Sequence, residues 1–118
     1  MKIKISADST CDLSPELLRE NDIELFPYNI GITPLYIVRG DETLRDGIDV
    51  RPEELYAYAK ATGKLCQTAA VNVSDYYAYF SAARAEYDAV IHFTISSDMS
   101  GCYQNACIAA ENFDNVYI

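Results

Sequence analysis

Residues 89–95, which read A-V-I-H-F-T-I, decide the fold together with the turn S-S-D-M-S-G at residues 96–101. The first stretch is almost continuously apolar and rich in β-branched side chains, which is typical of a strand covered on both faces of a parallel sheet. The histidine within this stretch, His92, is interpreted as a buried structural residue rather than a catalytic base. A helix is predicted after the turn, over about residues 100–112, with its buried face formed by Cys102, Ala106, Ala109 and Phe113.

Strand-like and helix-like segments alternate on the N-terminal side of this stretch. The alternation predicts an α/β fold with a mainly parallel sheet flanked by helices. The predicted strands cover residues 2–7, 35–38 and 87–95, and the other predicted helices cover residues 15–20, 52–62 and 75–85.

Local signals predict where these elements begin and end. Ser14 and Ser74 are predicted helix N-caps, and Asn21 and Gly63 are expected to end the first two helices. The third helix is expected to carry Tyr77, Phe80 and Arg84 on one stripe. The remaining segments are expected to be extended (residues 23–33), a turn (39–42) and irregular (64–71).

Composition and charge argue against several classes of function. The net charge of −9 opposes binding to nucleic acid and to an anionic membrane surface. No run approaches the roughly 20 apolar residues of a membrane span, and the N-terminus lacks the apolar core of a signal peptide. The four cysteines contain no C-x-x-C pair, so we expect a cytoplasmic protein with reduced thiols.

The last residues suggest that the chain is part of a longer protein. Residues 113–118 begin an apolar strand at which the sequence stops. We therefore expect residues 1–118 to form one domain of a larger chain. The face meant for a second domain would then be apolar and exposed, which favours self-association.

Several catalytic motifs are absent. The sequence contains no G-x-G-x-x-G, no G-x-x-x-x-G-K-[ST] and no G-x-S-x-G. His92 is the only histidine and no carboxylates cluster with it, so neither a metal nor another cofactor is predicted. Asp8 follows the first strand, but Asp12 has the wrong spacing for the D-x-D of an aspartyl phosphatase.

Hydroxyl side chains are concentrated in three segments predicted to be loops. Ser9 and Thr10 follow the first strand, Thr68 precedes the third helix, and residues 96–101 join the best strand to the last helix. Ligands of open parallel sheets bind beyond the carboxyl ends of the strands, and a helix N-terminus favours an anion. Gly101 lets a ligand come close to the backbone. Either these hydroxyls bind a carboxylate or phosphate, or they only cap helices.

Three blocks of sequence resemble the DegV family. Residues 8–13, D-S-T-C-D-L, resemble the opening of DegV proteins, and residues 46–49, D-G-I-D, resemble the family's D-G-x-D segment. The longest match is residues 95–106, I-S-S-D-M-S-G-C-Y-Q-N-A, which is similar to I-S-S-x-L-S-G-T-Y-Q-S-A. The blocks occur in the family's order over nearly the whole chain.

The resemblance implies the N-terminal α/β domain of a two-domain protein that binds a long-chain fatty acid and has no cofactor. The family's contacts to the carboxylate match Thr68 and Ser97, with Ser96 adjacent. Some members present the acid to a fatty-acid kinase, which the resemblance implies as a further partner. The family segment T-S-Q-P reads T-A-A-V at residues 68–71, and Cys102 and Asn105 replace a threonine and a serine, so the surroundings of the head group differ here.

Two other functions remain open. An enzyme acting on a small phosphate or acyl compound would use Ser97 or Asp8 as its nucleophile, although the sequence offers no evident base. A protein-interaction module would use some of the ten tyrosines, which are enriched at interfaces but also pack at helix–sheet contacts.

Overall fold

Two β-sheets organise the part of the chain that the computed structural model describes, residues 1–20 and 32–118. A parallel sheet has the strand order β2-β1-β6-β7, and an antiparallel sheet has the order β4-β3-β5. The strands are β1 (Ile3–Asp8), β2 (Ile32–Thr33), β3 (Tyr36–Arg39), β4 (Glu42–Arg45), β5 (Gln67–Ala69), β6 (Ala89–Phe93) and β7 (Val116–Tyr117). The helices are α1 (Pro15–Glu20), α2 (Pro52–Thr62), α3 (Val73–Glu86) and α4 (Cys102–Ala110).

The parallel sheet confirms the predicted fold class. β6, the strand from which the prediction started, pairs in parallel with β1 on one side and β7 on the other. Helices α3 and α4 pack against each other, and α3 contacts β6. The core lies between these helices and the sheet and includes Tyr76, Phe80, Val90, Cys102 and Ala106.

The two faces of β1 have an inverted polarity. Lys4, Ser6 and Asp8 are buried, whereas Ile3 and Ile5 are each 47% exposed. Since side chains alternate between the faces of a strand, the face of β1 that shares the interior with α3 is polar and the opposite face is apolar. A hydrophobic pattern alone would assign the opposite orientation.

Helix α3 begins earlier than predicted, and only part of the predicted stripe faces the core. Its N-cap is Asn72, whose side chain accepts a hydrogen bond from the Asp75 amide at 2.8 Å, so the assignment of Ser74 as cap was wrong. On the predicted stripe, Phe80 is fully buried, whereas Tyr77 is 47% exposed. The buried residues of α3 are Tyr76, Tyr79, Phe80 and Ala83. They recur at helical spacing that starts at Tyr76, one position before Tyr77.

The antiparallel sheet was only partly predicted. β3 matches the predicted strand at residues 35–38. β4 was not predicted, since only its first residue, Glu42, was assigned, to a turn, and β5 lies in a segment expected to be irregular. β4 pairs with β3 as a hairpin around Gly40, which has a φ of +61°, a conformation that suits glycine. β5 pairs with the other side of β3 and places Thr68 opposite Ile37.

Other predicted boundaries agree with the structure to within a few residues. The Ser14 hydroxyl accepts a hydrogen bond from the Leu17 amide at 3.3 Å, which confirms the first cap. Gly63 ends α2 in the left-handed conformation, as predicted. The expected end of the first helix at Asn21 and nearly all of the extended segment 23–33 lie outside the described residues.

We predict that Asn72→Ala lowers the free energy of unfolding by about 1 kcal/mol, since it removes the side chain that caps α3. Ser74→Ala, at an exposed position in the first turn of the same helix, is the matched control and should change stability by less than about 0.5 kcal/mol. Urea unfolding measures both. A larger loss for Ser74→Ala than for Asn72→Ala would contradict this assignment of the cap.

Candidate functional site

Two of the hydroxyl-bearing segments leave the parallel sheet at the same edge. β1 and β6 are adjacent and parallel, with Ala7 opposite Phe93, so their carboxyl ends point the same way. Ser9 and Thr10 directly follow β1, and residues 96–101 follow β6 after two residues. The structure therefore brings these two segments to one edge, where open parallel sheets bind ligands.

The Ser9 hydroxyl ties the first of these segments to the chain after β2. Its Oγ accepts a hydrogen bond from the Leu35 amide at 3.0 Å. Thr10 lies in the 3-10 turn Ser9–Cys11, which ends at Asp12 in the left-handed conformation. A hydroxyl that accepts one hydrogen bond still has its own proton to donate, so Ser9 keeps a donor for a ligand.

The serine turn, residues 96–101, is ordered by its own hydroxyls. Ser96 Oγ accepts from the Asp98 amide and Ser100 Oγ accepts from the Cys102 amide, both at 3.2 Å. The exposed Ser97 makes no side-chain hydrogen bond within the described part of the chain. Two hydroxyls thus stabilise the turn, as in the capping interpretation, while that of Ser97 is available to a ligand.

Helix α4 starts directly after this turn, with Gly101 as its N-cap residue. Helical geometry leaves the first amides of a helix without intrahelical partners, and the Cys102 amide is already used by Ser100. The amides of the next residues, Tyr103 and Gln104, have no acceptor among the described residues. This end of α4 therefore combines free donors with the positive end of a helix dipole.

Thr68 lies in a β-strand, although it was predicted to lie in a loop. It is exposed in β5, in the middle of a short strand of the antiparallel sheet rather than in a loop. Within the described residues its side chain forms no hydrogen bond to either hydroxyl-bearing segment at the parallel-sheet edge.

The segment that follows Thr68 is held against α4 by Asn105. The Asn105 Nδ2 donates to the backbone oxygen of Val71 at 2.8 Å, and Val71 is fully buried. Asn105 was noticed in the sequence only as a departure from the family pattern. The structure gives it a role that pattern reasoning missed, because its partner is 34 residues away.

A buried polar network lies beneath this edge of the sheet. The Tyr76 hydroxyl donates to Asp8 Oδ1 at 2.6 Å, and His92 Nε2 lies 3.1 Å from the same oxygen. His92 Nδ1 lies 2.8 Å from Ser6 Oγ. All four side chains are at most 1% exposed, which confirms the interpretation of His92 as a buried structural residue.

The proton positions in this network follow from chemistry. A carboxylate only accepts hydrogen bonds, so His92 Nε2 donates to Asp8, while Nδ1 is paired with the Ser6 hydroxyl, which can donate or accept. Burial, together with the neighbouring Asp8 carboxylate, raises the pKa of the Tyr76 phenol far above its usual range. Tyr76 therefore stays protonated and donates to Asp8 at every physiological pH.

These contacts weaken the enzymatic alternative. Asp8 is enclosed, and its Oδ1 is occupied by Tyr76 and His92, so it is not accessible as a nucleophile. Both ring nitrogens of His92 are engaged by buried partners, which leaves neither to accept a proton from Ser97.

The described residues contain no group of three or more His, Cys, Asp or Glu side chains arranged to hold a metal ion. Among the helices in residues 1–20 and 32–118, none has both the length and the apolar character needed to cross a membrane. The cysteines Cys11, Cys66, Cys102 and Cys107 are not joined in disulfides.

Comparison with known proteins identifies the family. The family model described as "Uncharacterised protein, DegV family" matches residues 2–118. The chain belongs to the DegV family. The resemblance seen in the three sequence blocks is thus confirmed.

A named relative and two solved structures agree with the assignment to this family. A fatty acid-binding protein of Thermotoga maritima is 33% identical over 119 residues, covering 97% of this DegV chain and 38% of the relative. The structure of DegV, a fatty acid binding protein from Bacillus subtilis, matches with a TM-score of 0.82 and 29% identity, over 99% of this chain and 39% of that one. A stearic acid-binding protein from Eubacterium ventriosum matches with a TM-score of 0.80 and 31% identity, over 98% and 40% of the two chains. This DegV chain therefore spans about two fifths of the length of these proteins.

We predict that Tyr76→Phe lowers the free energy of unfolding by about 1–3 kcal/mol, because the buried Asp8 carboxylate loses a donor. Tyr77→Phe, the adjacent substitution in α3 at a 47% exposed position, is the matched control and should change stability by less than about 0.5 kcal/mol. Urea unfolding of both variants provides the comparison. Equal stability of Tyr76→Phe and the unsubstituted protein would show that the hydrogen bond contributes nothing.

Proposed function

We propose that this DegV chain binds the head group of a long-chain fatty acid at the carboxyl edge of its parallel sheet. The residues proposed to form the site are Thr68, Ser96, Ser97, Gly101, Ser9 and Thr10. The observation that carries the proposal is the convergence of the Ser9 segment and the serine turn on one edge. Membership of a family whose named relatives bind fatty acids gives the ligand its class.

The donors at this edge suit a carboxylate. Ser97 has an uncommitted hydroxyl, and the Tyr103 and Gln104 amides at the start of α4 have no partner in the described part of the chain. Hydrogen bonds to a charged acceptor contribute about 1.5–3 kcal/mol each when well placed. Neutral donors of this kind hold a carboxylate without a buried lysine or arginine as counter-ion.

The tail of the acid needs apolar surface, and the outer face of the parallel sheet provides some. Phe93 is 60% exposed at the end of β6, three residues before Ser96, and Ile3 and Ile5 are each 47% exposed on neighbouring β1. Each methylene buried contributes about 0.8 kcal/mol. We propose that a second domain completes the tail pocket, with residues 1–118 as the N-terminal domain of the protein.

The proposal extends to partners and location. We propose that the protein presents its bound acid to a fatty-acid kinase. The exposure of Ser97 at the carboxyl edge of the parallel sheet supports this, because a partner could reach the head group there. The four unbridged cysteines support a cytoplasmic location, where thiols stay reduced. The exposed apolar residues of the outer sheet face support self-association when the second domain is missing.

We predict that the protein carries a long-chain fatty acid when purified from a bacterial host. Mass spectrometry of an organic extract identifies the acid and its ratio to protein. A lipid-free preparation that also fails to take up added palmitate or oleate would overturn the proposal.

We further predict that Ser97→Ala weakens fatty-acid binding by about tenfold or more, since it removes one hydrogen bond to the charged head group. Thr68→Val should have an effect in the same direction. Ser74→Ala removes an exposed hydroxyl outside the proposed site and should leave the affinity unchanged. Isothermal titration with palmitate measures all three, and a tenfold loss in the Ser74→Ala control would count against the assigned site.

A further inference from the structure

Three chain segments meet in one buried network, and two of them lead directly into proposed head-group residues. Asp8 immediately precedes Ser9, and His92 lies four residues before Ser96. Tyr76 lies in the first turns of α3, the helix that follows the strand of Thr68. Through Tyr76 and His92, the single oxygen Asp8 Oδ1 therefore connects all three segments.

The composition of this interior is unusual for a strand in a parallel sheet. Such strands are normally apolar on both faces, yet β1 buries Lys4, Ser6 and Asp8 and leaves Ile3 and Ile5 partly exposed. Replacing buried charged groups by well-packed apolar side chains is often neutral or stabilising for a fold. Hydrogen bonds have directions that apolar contacts lack, so a satisfied polar network specifies one arrangement of the segments that carry it.

The network lies beneath the edge where the ligand is proposed to bind, and its side chains are too buried to contact that ligand. Asp8, Tyr76 and His92 are each at most 1% exposed, so none of them contacts a molecule bound at the edge. The Asp8 Oδ2 has no hydrogen-bond partner among the described residues, so the carboxylate is oriented mainly through Oδ1. Rotation of the Asp8 side chain would therefore disturb the contacts of Tyr76 and His92 together.

We infer that Asp8, Tyr76 and His92 are positioning residues that hold the Ser9 segment, the serine turn and the start of α3 in the register that the fatty-acid carboxylate requires. This inference rests on the proposed function. It assigns the network a role in recognition of the carboxylate, separate from its contribution to stability.

The test compares two ligands with the same tail, palmitate and methyl palmitate, of which only the first has a charged head group. In Tyr76→Phe the affinity for palmitate falls by about tenfold, while that for methyl palmitate changes by less than about twofold, because only the charged head group depends on the donor geometry. Asp8→Asn keeps the shape of the side chain and removes its charge. We expect it also to lower the ratio of palmitate affinity to methyl palmitate affinity. It serves as the second variant if Tyr76→Phe does not fold.

The control is Phe80→Leu, a core substitution beside the network. Phe80 stacks on Tyr76 and contacts the His92 ring but makes no hydrogen bond to either. This variant is destabilised and keeps the unsubstituted ratio of palmitate to methyl palmitate affinity. A thermal melt of each variant establishes that it is folded at the assay temperature.

The outcomes separate the two proposals. An unsubstituted protein that binds palmitate no more tightly than its ester overturns the proposed head-group site itself. An unsubstituted protein that prefers palmitate, with the same preference retained in Tyr76→Phe and Asp8→Asn, overturns the positioning role and leaves the site intact. Equal losses for both ligands in these variants also overturn it, since that result assigns the network to stability alone.

Discussion

Asp8 Oδ1 accepts a hydrogen bond from Tyr76 at 2.6 Å and lies 3.1 Å from His92 Nε2, and all three side chains are buried. A buried carboxylate is tolerated only where donors compensate for the water it has lost. These hydrogen bonds connect the end of β1 to β6 and α3, and they form only with this face of β1 turned inward.

The inward orientation of Asp8 has a consequence on the other side of the sheet. Because strand side chains alternate, burying Asp8 and Ser6 directs Ile3 and Ile5 outward, where they are half-exposed on the same face of the sheet as Phe93. Parallel sheets are normally covered on both faces. The outer face therefore offers apolar surface next to the polar edge, which is the pairing of surfaces that a fatty acid requires.

Much of the fold was predictable because its signals are local. The helix cap at Ser14, the stop at Gly63 and the β-rich stretch containing His92 each depend on residues close in sequence, and each was found. Assigning the third cap to Ser74 rather than Asn72 was a local error, since both residue types cap helices and only the backbone conformation distinguishes them. β4 and β5 were missed because they are short and depend on pairing with β3.

By itself, the sequence determined the α/β class, the hydroxyl-rich turn after β6 and the family, because repeating local patterns and ordered blocks of residues carry that information. Only the tertiary structure decided that Thr68 lies in an antiparallel strand, that Asn105 holds the Val71 backbone and that Asp8 joins Tyr76 and His92. The partners of Asp8 are 68 and 84 residues away along the chain. A hydrogen bond between such residues depends on how the sheet and helices pack, and no local pattern in the sequence encodes it.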